Sequence, residues 1–126
     1  MPIVDVECVR SDEEVLTRSQ IECLANELGD LFGRNPGTTW VKVRNLSLLS
    51  YAENGIAEED TPEPTFVRII KRTLPDKQGL SDEAKRIVHV VAQTLSCEAE
   101  NVHVIYEPEG AGRVAFGGEL VNKGDS

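Results

Sequence analysis

With 126 residues, the chain suits one compact domain around a single core and is too short for two independent ones. A hydrophobic content of 40% excludes a disordered chain, and no apolar run approaches the roughly 20 residues that span a bilayer. A formal net charge of -9 argues against nucleic-acid and anionic-membrane surfaces, both of which need clustered Lys and Arg; with no signal peptide in front, a cytoplasmic protein is expected.

The opening "MPIVDVECV" predicts a strand over residues 2–9. Val4, Val6 and Cys8 fall on one face, Asp5 and Glu7 on the other, with Ile3 and Val9 at the two ends of the acidic face. Pro2 has two readings. Proline is tolerated at the first residue of a strand, where its missing N–H costs no ladder bond. Methionine ahead of a small residue is also normally trimmed, which would leave Pro2 as a free secondary amine that titrates within reach of neutrality in an apolar or cationic site.

The stretch "SDEEVLTRSQIECLANELGDLFG" predicts a helix that starts on a Ser11/Glu14 capping box, carries Ile21, Leu24, Ala25, Leu28, Leu31 and Phe32 at helical spacing, and stops at Gly33. "TTWVKVRNLSLLSY" is rich in β-branched residues and predicts a second strand. The acidic, proline-containing residues 52–64 predict an exposed connector.

The order then repeats: "TFVRIIKRT" reads as a strand, "SDEAKRIVHVVAQTLS" as a helix with Ala84, Ile87, Val88, Val91 and Leu95 on one face, and "NVHVIYE" as a strand. Each helix opens with the same letters, Ser11-Asp12-Glu13 and Ser81-Asp82-Glu83, and each is followed by a V-x-V strand, Val41-Lys42-Val43 and Val102-His103-Val104. The fold class is therefore α/β (α+β): a single domain over 1–126, with tandem β-α-β halves at about 2–51 and 65–121, forming one four-stranded sheet with both helices on one face. The other face is expected to present Val, Ile and Leu from four strands and to be buried by self-association. Cys8, Cys23 and Cys97 are odd in number and widely spaced, and read as small buried apolar side chains. The His, Cys, Asp and Glu residues show no metal-ligand spacing, so neither metal nor cofactor is expected.

The tail "EPEGAGRVAFGGELVNK" closely resembles the C-terminal "GGEL" segment of the 4-oxalocrotonate tautomerases, and "PIVDVE", "RSDEE" and "NVHVIYE" resemble the same family. The doubled length is similar to the macrophage migration inhibitory factor and 5-carboxymethyl-2-hydroxymuconate isomerase branches of the tautomerase superfamily; "MPIVDVEC" and "TFVRIIK" followed by "LSDEAK" look like the isomerase branch. The resemblance implies a homotrimer, no cofactor, and a pocket at each Pro2, whose amine serves as general base on a small enol or dienol carboxylate.

It also implies cations or donors for the substrate's carboxylate and developing enolate. Arg68, Ile70 and Arg72 alternate on the third strand, and Arg72 is favoured because the family places substrate-binding arginines near that strand's end. His103 stands where the tautomerase pattern has an arginine and the inhibitory-factor pattern a tyrosine, a departure that puts the usual diacid substrate in doubt. Lys42 is the repeat counterpart of His103, and Arg34 falls where the inhibitory-factor branch has a lysine, or else simply complements a helix C-terminus. Phe116 and Val114 are candidates for an apolar wall, although the tautomerase pattern has an aromatic at the place of Val114; Arg113 and Tyr106 lie nearby in sequence, and Gly117-Gly118 reads as a tight turn. Three functions stay open: an isomerase with Pro2 as base; a hydratase, dehalogenase or decarboxylase with Pro2 as general acid; and a non-catalytic protein that retains the fold.

Overall fold

The computed structural model describes residues 1–11 and 15–122. Strand β1 (Pro2–Arg10) carries the expected alternation: Val4, Val6 and Cys8 are buried while Ile3, Asp5 and Glu7 are half-buried. Helix α1 spans Arg18–Leu31 and β2 spans Trp40–Ser47. After the connector, with its short 3-10 turn at Glu58–Asp60, come β3 (Thr65–Lys71), α2 (Lys77–Leu95) and β4 (Val102–Tyr106). A small hairpin, β5 (Ala115–Phe116) and β6 (Glu119–Leu120), follows; Gly117 (φ 56°) and Gly118 (φ 92°) supply the two positive φ angles of its tight turn.

The sheet order is β2-β1-β3-β4, parallel within each β-α-β unit and antiparallel where β1 meets β3. Pro2 therefore opens a central strand, opposite Lys71 of β3, and sits at the one position of that strand where a missing N–H is tolerated. Leu24 and Leu28 of α1 and Ile87, Val91 and Leu95 of α2 are fully or almost fully buried against Val4, Val6, Cys8, Val67 and Ile69. Each such aliphatic side chain contributes about 1.5–3 kcal/mol on burial. No described helix is long and apolar enough to cross a membrane.

Four local expectations are corrected. Helix α1 starts at Arg18 on a Thr17/Gln20 capping box; of the expected Ser11/Glu14 box, Glu14 lies outside the described residues, and the Ser11 N–H instead donates to Glu63 Oε1 at 2.9 Å. Helix α2 starts four residues before Ser81, because the Asp76 carboxylate accepts from the Gly79 N–H at 2.8 Å, so Ser81-Asp82-Glu83 belongs inside the helix and the shared opening letters mark no shared cap. Cys23 is exposed on α1; Cys8 is buried, and its burial pushes the thiol pKa up.

The fourth correction concerns the sheet face that carries no helices. It is a mixed surface in which Lys42 pairs with Asp5 (3.1 Å), Arg44 with Glu7 (3.8 Å) and Arg68 with Glu107 (3.0 Å). Its residues come from the odd positions of β1 and their neighbours, so acids on the central strand meet bases on both flanking strands. Such exposed pairs contribute little to stability, but they make the face salt-sensitive and directional.

Candidate active site

The even-numbered face of β1 that buries Val4 and Val6 ends on Pro2, which is less than 2% exposed. Around it lies a cleft of about 250 Å³ lined by Met1, Pro2, Phe32, Arg34, Lys71 and Arg72, with Thr73 at its edge. Two chain reversals bring the arginines there. Helix α1 closes with a Schellman motif: the Gly33 N–H donates to Asp30 O (3.0 Å) and the Arg34 N–H to Gly29 O (2.9 Å), with Gly33 at φ 64°. That turn directs Arg34 back along the end of the sheet. Arg72 follows the last residue of β3, where the C-terminal segment holds it: the Gly110 N–H donates to Lys71 O (2.7 Å) and the Ala111 N–H to Arg72 O (3.1 Å).

The Nε atoms of Arg34 and Arg72 are buried, and neither has a hydrogen-bond partner among the described residues. No described carboxylate pairs with either guanidinium. In a chain of net charge -9, two uncompensated cations side by side form a site built for an anion, because a buried donor without a partner costs about 1–3 kcal/mol. The terminal amine, here that of Met1, is held below its ordinary value, first by burial and then by the charges of Arg34 and Arg72.

Beside this cleft is a polar network that the sequence did not single out. Lys71 continues the inward alternation of Thr65, Val67 and Ile69, and its Nζ pairs with Glu83 Oε2 at 2.8 Å and lies 5.2 Å from the centre of the Phe32 ring. The other oxygen of Glu83 accepts from the Tyr106 hydroxyl at 2.8 Å. Burial, then the Glu83 hydrogen bond and charge, hold the Tyr106 hydroxyl far above its ordinary pKa, so it stays a donor. The available signal was a lysine at the inward position of a strand, which must find a carboxylate.

The remaining expected residues lie elsewhere within one chain. Lys42 projects from β2 onto the opposite face and pairs with Asp5. His103 is exposed at the far end of β4, level with Phe66 and Glu7, its ring 5.7 Å from that of Phe66. The parallel pairing that makes both V-x-V segments edge strands carries Lys42 and His103 away from Pro2. Arg113 and Val114 line a second cleft with Asp5, Arg68, Ile70 and Gly110. Phe116 packs edge-on against Trp40, with ring centroids 5.0 Å apart. The segment after β4 thus passes β3 at Lys71 and Arg72 and reaches β2 at Trp40, crossing the Pro2 end of the sheet without placing Arg113 or Phe116 in the arginine cleft. No cluster of three or more His, Cys, Asp or Glu among the described residues is placed to hold a metal ion.

No protein-family model matches the chain, and no curated protein matches it in sequence. Solved structures match its fold closely. A macrophage migration inhibitory factor from Oncomelania hupensis superposes with TM-score 0.71 at 15% identity, over 97% of this chain and 83% of that one. A fused 4-OT, described as a wild-type symmetric trimer, gives 0.72 at 10% identity over 94% of both chains. A member of the cis-3-chloroacrylic acid dehalogenase family gives 0.68 at 18% identity over 95% of this chain and 85% of that one. The chain shares the fold of these proteins.

Proposed function

We propose that the protein is a cofactor-independent tautomerase in which Pro2, freed by removal of Met1, is the general base on a small enol or dienol carboxylate. The fold does not choose among the chemistries of its neighbours, which include a dehalogenase family. The observation that carries the reading is the pair of unpartnered arginines beside the chain's first nitrogen. They offer donors to a carboxylate, and burial first, then their charge, holds the Met1 amine below its ordinary value, surroundings that a freed Pro2 nitrogen next to it would share. Lowering an amine's pKa favours its neutral form, the form that serves as a base, and the same direction weighs against a proline held protonated as a general acid.

In the proposed reaction the substrate carboxylate sits on Arg34 and Arg72. The Pro2 nitrogen takes the proton of the enol hydroxyl, the C–O bond becomes a carbonyl, and the electron pair of the C=C bond takes a proton at carbon from the ring nitrogen. One proton leaves oxygen and one arrives at carbon, so the product is an isomer and no other reactant is consumed. Lys71, its charge paired with Glu83, forms the cleft wall beside Pro2.

The proposal includes self-association as a homotrimer, supported by the fused 4-OT trimer of the same fold. The ion-paired sheet face, and exposed apolar side chains such as Trp40 (49%) and Leu120 (54%) at the Pro2 end, are the surfaces it would use. The test is an intact-mass measurement on untagged protein paired with ketonisation assays on phenylpyruvate enol and 2-hydroxymuconate. Loss of one methionine together with turnover is expected; a processed chain without turnover on either overturns the tautomerase reading.

A further inference from the structure

We propose that Met1 marks the path of the substrate's carbon chain, and that Gly110 is the specificity-determining residue that sets how much chain the site admits. The proposal rests on the proton transfer at Pro2 and names the substrate class for it. The lone pair of a freed proline nitrogen points where the peptide bond to Met1 now runs. Any atom that exchanges a proton with that nitrogen must therefore arrive from the side that Met1 covers.

The two arms of Met1 separate there. Its amino group lies in the cleft, under the influence of Arg34 and Arg72. Its side chain ends against Gly110: a Cβ built on that glycine would collide with the Met1 terminal methyl, while standing 3.2 Å from Ile70 Cγ2 and 3.3 Å from Lys71 O. A substrate that follows both arms puts its carboxylate on the arginines and an unbranched apolar chain, of about the calibre of a methionine side chain, between Gly110 and Ile70. Beyond these two residues is the second cleft, of about 250 Å³, which Asp5, Arg68, Glu107 and Arg113 make charged, so the apolar part of the path ends at Gly110 and Ile70.

Gly110 does not owe its identity to backbone conformation, since its φ is not among the positive values in the chain. It is buried, and its N–H is used by Lys71 O at 2.7 Å. What its missing side chain provides is space beside the first nitrogen. An added methyl would sit tightly against Ile70 and the Lys71 carbonyl and fill the slot instead. The slot favours linear 2-hydroxy-enoic or dienoic acids over acids branched next to the reacting carbons.

The test compares kcat/KM for ketonisation of enolpyruvate and of the enol of 2-oxohexanoate, in processed wild-type and Gly110→Ala protein. The ratio of long to short acid is expected to fall by about tenfold or more, the discrimination that a methyl-sized misfit gives in an apolar pocket. An unchanged ratio overturns the proposal, whether or not overall turnover falls. If Gly110→Ala fails to fold, Ile70→Ala reads the same slot from its other wall and is expected to raise the relative kcat/KM of a branched enol acid; an unchanged preference overturns it. If the wild type ketonises neither enol, the tautomerase reading fails and the slot is read by binding alone. In that case 2-oxohexanoate, and not pyruvate, is expected to shift the Ile70 methyl resonances in the wild type and to lose this effect in Gly110→Ala; no Ile70 shift in the wild type overturns the slot.

Discussion

The two ends of the sheet are built from equivalent parts of the two β-α-β units and differ in how their polar groups are used. At the end where β1 finishes and β3 begins, polar groups meet one another within the protein: Arg10 donates to Leu95 O at 3.1 Å, the Val9 N–H to Pro64 O at 2.9 Å, and the Thr65 hydroxyl to Cys97 Sγ at 3.9 Å. At the end where β1 begins, Lys71, Glu83 and Tyr106 satisfy one another while Arg34 and Arg72 keep buried donors without acceptors. What sets the Pro2 end apart is that these two arginines share one cleft with the chain's first nitrogen, where an anion could reach both.

The largest test of this contrast is to cap the amine. A chain made with one uncleavable residue ahead of Pro2 has an amide nitrogen there, which is no base, and its kcat is expected to fall by about 10²–10⁴-fold, the usual scale of a general base. Pro2→Ala is expected to lose activity as well, and undiminished turnover in that variant overturns the role of Pro2. Binding of a carboxylate inhibitor to the capped chain, followed by calorimetry, separates loss of the base from loss of the arginine site.

The satisfied part of the Pro2 end is tested by stability. Glu83→Gln removes the charge that holds Lys71, whose side chain is 20% exposed beside a 14% exposed Glu83, and leaves an ammonium in a largely buried place. A loss of about 2–3 kcal/mol is expected from urea unfolding. The double variant Lys71→Met/Glu83→Gln is expected to recover part of that loss, because an apolar side chain against Phe32 needs no counter-charge. A double variant less stable than Glu83→Gln would mean that the pair is not coupled.

The unsatisfied part is tested by pH. Burial first, and then both arginines, hold the Met1 amine down, so Arg72→Gln is expected to let a freed Pro2 amine at the same place rise part of the way towards its ordinary value. A base works when neutral; raising its pKa moves the acidic limb of kcat/KM to higher pH, lowering activity at pH 7 and restoring part of it under alkaline conditions. KM is expected to rise by about 10–100-fold on loss of a charge-assisted bond to carboxylate. A rise in KM with an unmoved limb would place Arg72 on the carboxylate but outside the amine's field. The depressed amine also links to folding: between its folded and unfolded values the unfolded chain binds more protons, so this group adds stability as pH rises through that interval.

Much of this architecture was legible in the sequence because it rests on periodicity. The alternation in β1 and β3 and the helical spacing of Leu24, Leu28, Ile87, Val91 and Leu95 each follow from one element's own pattern. Start signals were less legible because two compete: Ser11/Glu14 and Thr17/Gln20 satisfy the same capping rule, and α1 begins on the second. Arg34 and Arg72 were named from the family resemblance, and the element ends they occupy are gathered by the topology into the cleft at Pro2. The Lys71–Glu83–Tyr106 network could not, since it joins β3, α2 and β4 and no spacing along the chain encodes that meeting. Lys42 and His103 were chosen by repeat and resemblance, and both project from edge strands, where one chain offers them no cleft at Pro2.

That placement gives His103 a sharper test than a single substitution. It pairs across from Phe66, which pairs with Glu7, five residues along β1 from Pro2. At a rise of about 3.3 Å per residue this is roughly 17 Å, beyond the reach of an imidazole within the same chain. If the proposed trimer brings this exposed end against a neighbour's cleft, His103→Ala is expected to lower kcat/KM by about two- to tenfold, the scale of one neutral hydrogen bond. Co-expressing His103→Ala chains with capped, base-dead chains then distinguishes the two geometries. Each mixed assembly would hold sites with a free Pro2 from one chain and an intact His103 from another, and activity above the average of the two parents is expected. Activity equal to that average would confine His103 to its contact with Phe66 and leave the arginine end of each chain to work alone.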